Sequence, residues 1–186
     1  MLLIVIALLF ATNGRARAEE INEYDLKLAY LNKFCNYVTW PKQENAQNIT
    51  VAVLGAFPTD EQLKKLDGRA IGTKKIVAKR VTLADLKKPP QILFISGIDD
   101  VAKKAIQDAT KELGVQPVLI VTEHADTTIP STMKFVWIGG NVKFSVDRAD
   151  AAKRGLELNA KLLRLAVAPP PPAPVAPKPV STAVPR

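Results

Sequence analysis

The sequence predicts an α/β domain: a mainly parallel central sheet flanked by helices, with an antiparallel β-hairpin near the carboxyl terminus. Three observations carry that prediction. Short apolar runs rich in β-branched residues alternate with amphipathic segments along the chain. The runs ITVAVL (49–54), QILFI (91–95) and VLIVT (118–122) lack regular polar alternation, as strands covered on both faces do. Near the end, Gly139-Gly140-Asn141 stands between two further runs and supplies the positive φ that a tight hairpin turn needs.

In chain order, Glu23 to Val38 reads as a helix. At 100° per residue, Tyr24, Leu28, Leu31, Cys35 and Val38 form one apolar stripe, and Leu26, Tyr30, Phe34 and Tyr37 form another. Asp25, Asn32, Asn36 and Thr39 form a polar strip between them on one side. Two stripes fit either a helix that meets its own sheet and a second chain, or a helix buried on two sides within one domain. The second stripe is the candidate dimer or partner surface. Trp40-Pro41 closes the helix, because the residue before proline is pushed out of the helical region.

Ile49 to Leu54 is the first long strand, broken by Gly55. Thr59 to Leu66 follows as a short helix with Thr59 or Asp60 as cap. Lys74 to Arg80 is a second strand around Ile76 and Val77, and Leu83 to Lys87 is one helical turn before Pro89-Pro90. Gln91 to Ile95 is a buried strand that ends at Ser96-Gly97. Asp99 to Leu113 is an amphipathic helix, and Val118 to Thr122 is another buried strand. Met133 to Ile138 and Val142 to Val146 form the hairpin. The sequence then predicts one helix from Arg148 to Leu165, capped by Asp147, with Asn159 inside its apolar arc.

The ends differ from this body. Leu2 to Ala11 is an almost unbroken apolar run, shorter than the ~20 residues that span a bilayer. Ala16-Arg17-Ala18 follows, an A-x-A pattern. Residues 1–18 therefore read as a signal peptide cut between Ala18 and Glu19, which places the mature protein in the periplasm. Met1 is followed directly by Leu2 without a basic region, and an uncleaved amino-terminal anchor is the competing reading. Residues 19–167 form the domain. Residues 168–186 are Pro/Ala-rich and read as an extended tail, either a spacer or a ligand for a grooved partner.

The whole chain carries 26 Lys+Arg and 18 Asp+Glu, a net +8. Arg15 and Arg17 leave with the signal peptide and no acid does, so two charges come off and +6 remain. The bases are scattered among acids, which argues for solvated surface and against a nucleic-acid site. One cysteine, Cys35, cannot form an internal bridge.

Catalytic chemistry is hard to assemble from this chain. It has one histidine, His124, no cysteine/histidine cluster with metal-ligand spacing, and no phosphate-cradling glycine loop. No cofactor and no metal are called for. One constellation remains. Ligands of parallel sheets settle beyond the carboxyl ends of strands, and those ends carry Gly55, Ser96, Gly97, Thr122 and His124. The same residue types are what ordinary turns require.

The segments together resemble a known family. Leu28-Ala29-Tyr30-Leu31-Asn32-Lys33-Phe34 and Tyr37-Val38-Thr39-Trp40-Pro41 resemble the opening helix of YfiR-like proteins (DUF4154), and Ile49 to Gly55 the first strand and glycine of that family. Leu66-Asp67-Gly68-Arg69 with Ile71-Gly72, Gln91 to Ser96, Pro117 to Thr122 and Lys161 to Ala166 are similar to its later motifs in order and spacing. The likeness runs from Tyr24 to Ala166. It implies a periplasmic α/β protein, not an enzyme, that binds the periplasmic part of a membrane-anchored signalling protein, a diguanylate cyclase in the best-known members. Restraint of that cyclase lowers cyclic-di-GMP and biofilm formation, and members dimerise. The lone Cys35 departs from members that hold internal disulfides, the hairpin matches loosely, and the proline tail lies outside the pattern. The alternative reading is a periplasmic small-ligand sensor or carrier that uses the strand-end crevice.

Overall fold

In the computed structural model, which describes residues 23–43, 46–56, 59–123 and 128–168, helix α1 spans residues 23–37 and passes directly into strand β1 (Val38–Thr39). There follow β2 (Asn48–Gly55), α2 (Asp60–Lys64), β3 (Ala70–Ile71), β4 (Lys74–Val81), a 3-10 turn (Leu83–Lys87), β5 (Ile92–Ser96), α3 (Asp100–Glu112), β6 (Leu119–Thr122), β7 (Met133–Ile138), β8 (Asn141–Val146), α4 (Arg148–Lys153), β9 (Glu157–Leu158) and α5 (Ala160–Leu165). Side-chain caps start the helices where the sequence places them. Thr59 accepts from the Gln62 amide, Asp99 from Ala102 and Asp147 from Asp150.

Seven strands form one sheet in the order β3-β4-β2-β5-β6-β7-β8. β4, β2, β5, β6 and β7 are parallel, and β3 and β8 pair antiparallel at the two borders. The parallel strands follow the doubly wound order 2-1-3-4-5, whose direction of winding reverses between β2 and β5. Side chains alternate across the sheet. Val51, Val53, Ile92, Phe94, Leu119 and Val121 join α1, α2 and α5 in one core. Ala52, Leu54, Leu93, Ile95 and Ile120 pack with α3 and the 3-10 turn in a second. Burial on both faces explains why β2, β5 and β6 read as continuous apolar runs.

The first core is rich in aromatic rings. Phe34 of α1 lies 5.1 Å from Phe144 and 6.1 Å from Phe135 between ring centroids, and Phe135 meets Phe94 edge-on at 5.8 Å. Such pairs add about 0.5–1.5 kcal/mol each beyond area burial. Cys35 is buried beside them, and burial pushes its thiol up to about 12, so it stays protonated and unreactive.

The hairpin forms as the glycines require. Ile138 pairs with Asn141, so Gly139 (φ 58°) and Gly140 (φ 74°) make a two-residue turn with both central φ values positive. The single helix expected over Arg148 to Leu165 does not form. α4 stops at Lys153, Gly155 takes φ 67°, and the chain extends as β9 before α5 begins. β9 pairs antiparallel with β1 through Val38↔Leu158 and Thr39↔Glu157, a two-strand ladder apart from the main sheet. Asn159 is the cap of α5 and accepts from the Lys161 amide at 2.8 Å, so it is an exposed terminus and not an amide within an apolar arc.

Part of each sheet border is covered. On β8 the carbonyl of Val142 accepts the Tyr30 hydroxyl (3.2 Å) and that of Phe144 accepts the Val167 amide (2.9 Å). On β4 the Ile76 amide donates to Arg69, the Ile76 carbonyl accepts from Gly68, and the Ala78 amide donates to the Asp67 carboxylate, each at 2.9 Å. Among the described residues, no helix is long and apolar enough to cross a membrane.

Candidate functional site

The crevice outside the carboxyl ends of β2 and β5 is where a doubly wound sheet takes a ligand. Here the two strand ends are stitched to each other. Gly55 has φ 99°, and a Cβ on it would stand 2.0 Å from the Ser96 carbonyl oxygen. Gly97 has φ 55°, and its Cβ would stand 2.7 Å from the Ala56 Cβ. The Ser96 hydroxyl, fully buried, donates to the Ala56 carbonyl. Glycine at 55 is thus demanded twice, by backbone angle and by contact. Gly55→Ala is expected to destabilise the domain by on the order of 2–4 kcal/mol, from strain plus overpacking. A chemical-denaturation midpoint equal to that of the parent would overturn this reading of the crevice.

A polar cluster lies beside these strand ends. Glu123 follows β6 directly. Its Oε2 accepts the Gly97 amide at 2.8 Å and its Oε1 accepts the Lys27 ammonium at 2.6 Å. Lys27 also pairs with Glu23 at 2.5 Å, one helical turn away, and its Nζ lies 4.4 Å from the centre of the Tyr24 ring. The Lys27 side chain is only 4% exposed, with Glu123 at 17% and Glu23 at 22%. Tyr24 is half-buried. Burial, then the Glu123 charge and hydrogen bond, hold its phenol well above the usual tyrosine range, so it stays neutral. Both Glu123 oxygens are engaged, and the ammonium sees two carboxylates and a ring. The cluster fastens the amino end of α1 to the strand ends.

The expected crevice residues separate accordingly. Gly55, Ser96 and Gly97 come together. Thr122 lies on the other face: it pairs in register with Ile95, which faces α3, and its hydroxyl donates to Ser131 at 3.0 Å. His124 lies outside the described residues. Sequence reasoning missed Tyr24, Lys27 and Glu123 as a group. One signal existed, since Lys27 falls within the apolar arc of α1, and a charge in such an arc needs a buried partner.

The second stripe of α1 also divides. Phe34 has no exposed surface and belongs to the domain's own interior, which corrects its assignment to a partner surface. It lies 40° from Tyr30 around the helix on the side toward Leu31 and the sheet. Tyr30 is half-buried, packs on Phe34, Phe135 and Phe144, and carries the Lys33 ammonium 5.5 Å over its ring. Tyr37 is half-buried, and its carbonyl accepts the Asn159 amide. Leu26 is exposed at 37%. The outer flank of α1 is therefore Leu26 with the outer edges of Tyr30 and Tyr37.

Among the described residues, no group of three His, Cys, Asp or Glu side chains converges to hold a metal. A second ion pair, Arg154 with Asp150 at 2.8 Å, is structural: Asp150 also accepts from Thr132, and Arg154 donates to the Gln116 carbonyl. Compared with known proteins, no curated protein matches the chain. A family model described as YfiR/HmsC-like (DUF4154) matches residues 24–167, from the first turn of α1 through the Val167 pairing on β8.

Proposed function

This chain belongs to the YfiR/HmsC-like family, and from that premise we propose that it binds the periplasmic part of a membrane-anchored signalling protein, a diguanylate cyclase, and holds it in its resting state. The family is one of periplasmic regulatory proteins and not of enzymes. The observation that carries the reading is the family match across the whole α/β body, residues 24–167. The stitched crevice adds to it. Beside the strand ends, Tyr24, Lys27 and Glu123 are engaged with one another, which supports a structural use of those groups.

Restraint of this kind requires unequal affinity for the partner's two states. A shift from one per cent to ninety-nine per cent resting takes a preference of about 10⁴-fold. In this proposal residues 1–18 are the signal peptide, 19–167 the regulatory domain and 168–186 a spacer. The outer flank of α1 (Leu26, Tyr30, Tyr37) is the docking surface for the partner or for a second copy.

Leu26→Asp tests it. Cellular cyclic-di-GMP is expected to rise to the level of a strain lacking the protein, and crosslinking to the inner-membrane partner in intact cells to fall at least about tenfold, the loss of one interface anchor. The thermal midpoint should not move. Unchanged crosslinking by the folded variant would remove α1 as the surface. Unchanged cyclic-di-GMP in the strain lacking the protein would remove the cyclase.

A further inference from the structure

The β7–β8 hairpin carries apolar side chains that the domain does not use. β7 registers on β6 only through Val121↔Met133 and Thr122↔Lys134, so Phe135 to Ile138 run past the carboxyl end of β6. At ~3.3 Å per residue, the overhang is about 13 Å. At its tip Trp137 is 44% exposed and Ile138 is 49% exposed.

Alternation puts these two on opposite faces. Trp137 pairs with Val142, whose side chain joins the core beneath α1, and Ile138 pairs with Asn141 on the reverse face. A lysine accompanies each. Lys33 sits over the Tyr30 ring, and Tyr30 is bonded to the Val142 carbonyl, which brings that ammonium to the Trp137 face. Lys143 is exposed on the Ile138 face. No Asp or Glu occurs from Leu26 to Gln43 or from Met133 to Val146.

We propose that this hairpin tip enters the headgroup region of an anionic lipid bilayer. A protein socket grips one face of a hairpin. Here both faces offer an apolar side chain with a lysine on the same side, and neither strand of the hairpin carries an acid, which suits tip-first entry into a medium that surrounds the tip. Tryptophan favours that boundary, and lysine stems lie along apolar surface while the ammonium reaches phosphate. Entry stops at the interface, because turn amides need water or headgroups. Two lysines contribute about 1 kcal/mol each near an anionic surface, so the attachment is weak, reversible and salt-sensitive. The inference goes beyond the docking role and does not depend on the partner's identity.

The test uses the purified full protein and phosphatidylcholine vesicles with or without 30% phosphatidylglycerol (about the anionic share that gives a strong surface potential). Trp40 is buried, with its Nε1 bonded to the Gln91 carbonyl, so a change in emission reads Trp137. The expected result is a blue shift and co-flotation with the anionic vesicles alone, both lost at high salt. Partitioning should fall about tenfold in Ile138→Asp and about fivefold in Lys143→Glu, at unchanged thermal midpoints. All proteins share one amino terminus, so the differences between them read the hairpin. Equal partitioning of wild type and variants, equal binding to neutral vesicles, or a shift that follows protein concentration without vesicles would overturn the proposal. The last would assign the tip to self-association. No partner protein is present, so failure here leaves the cyclase reading standing.

Discussion

Phe34→Ala is expected to cost about 3–5 kcal/mol, the usual loss for a large aromatic truncated in a close-packed core. Phe34 is fully buried and stands within ring contact of Tyr30, Phe135 and Phe144, so its removal opens a space bounded by two strands and the helix itself. None of those neighbours can close the gap without moving α1 off the sheet. For a domain of this size the thermal midpoint should fall by on the order of 10–15 °C. Phe34→Asp, which buries a carboxylate without a partner, should not fold at all. Circular dichroism on heating separates these outcomes from Leu26→Asp, which should melt with the parent. A Phe34→Ala midpoint within about 2 °C of the parent would mean that α1 is not seated on the hairpin as described.

The second large effect concerns Lys27. Lys27→Met strips the cation from Glu123 and Glu23 and leaves Glu123 with only the Gly97 amide and the Tyr24 contact. Breaking a buried pair by removing one partner costs about 3–5 kcal/mol, most of it the penalty on the charge left behind. The companion Glu123→Gln should cost less, because Gln can still accept from Gly97 and Lys27 keeps Glu23. The double variant should recover part of the Lys27→Met loss, with a coupling of about 1–3 kcal/mol between the two positions. Urea denaturation of the four proteins gives that coupling directly. Additive losses would show that the pair does not join α1 to the strand ends.

The contrast between Lys27 and the hairpin shows what the sequence could and could not reveal. Gly139-Gly140 declares a turn locally, because two adjacent residues at positive φ have few other uses. The apolar runs of β2, β5 and β6 declare burial on both faces. Lys27 and Glu123 are 96 positions apart, and only the winding of the sheet makes them neighbours. The error over Arg148 to Leu165 has a related cause. Leu158, Leu162 and Leu165 keep a helical period from β9 into α5, yet the backbone of β9 is claimed by β1, and Gly155 permits the reversal. Two-residue strands such as β1, β3 and β9 have no periodicity to read; tertiary pairing alone creates them. Phe34 was legible as apolar but not as interior, since a helical wheel gives angles and not the width of the sheet beneath.

The partly covered borders of the sheet restrict how anything can hold on to this molecule. A ligand peptide seeking β-augmentation would need free amides and carbonyls along β8 or β4. Tyr30 and Val167 already take the carbonyls of Val142 and Phe144, while Gly68 and Arg69 take the carbonyl and amide of Ile76 and Asp67 takes the amide of Ala78. Past Val167 and Ala168 the chain continues with four consecutive prolines, Pro169 to Pro172, which have no amide hydrogen to offer. A strand adding to either border would therefore have to displace these contacts, which disfavours the pairing from which cross-β fibres grow.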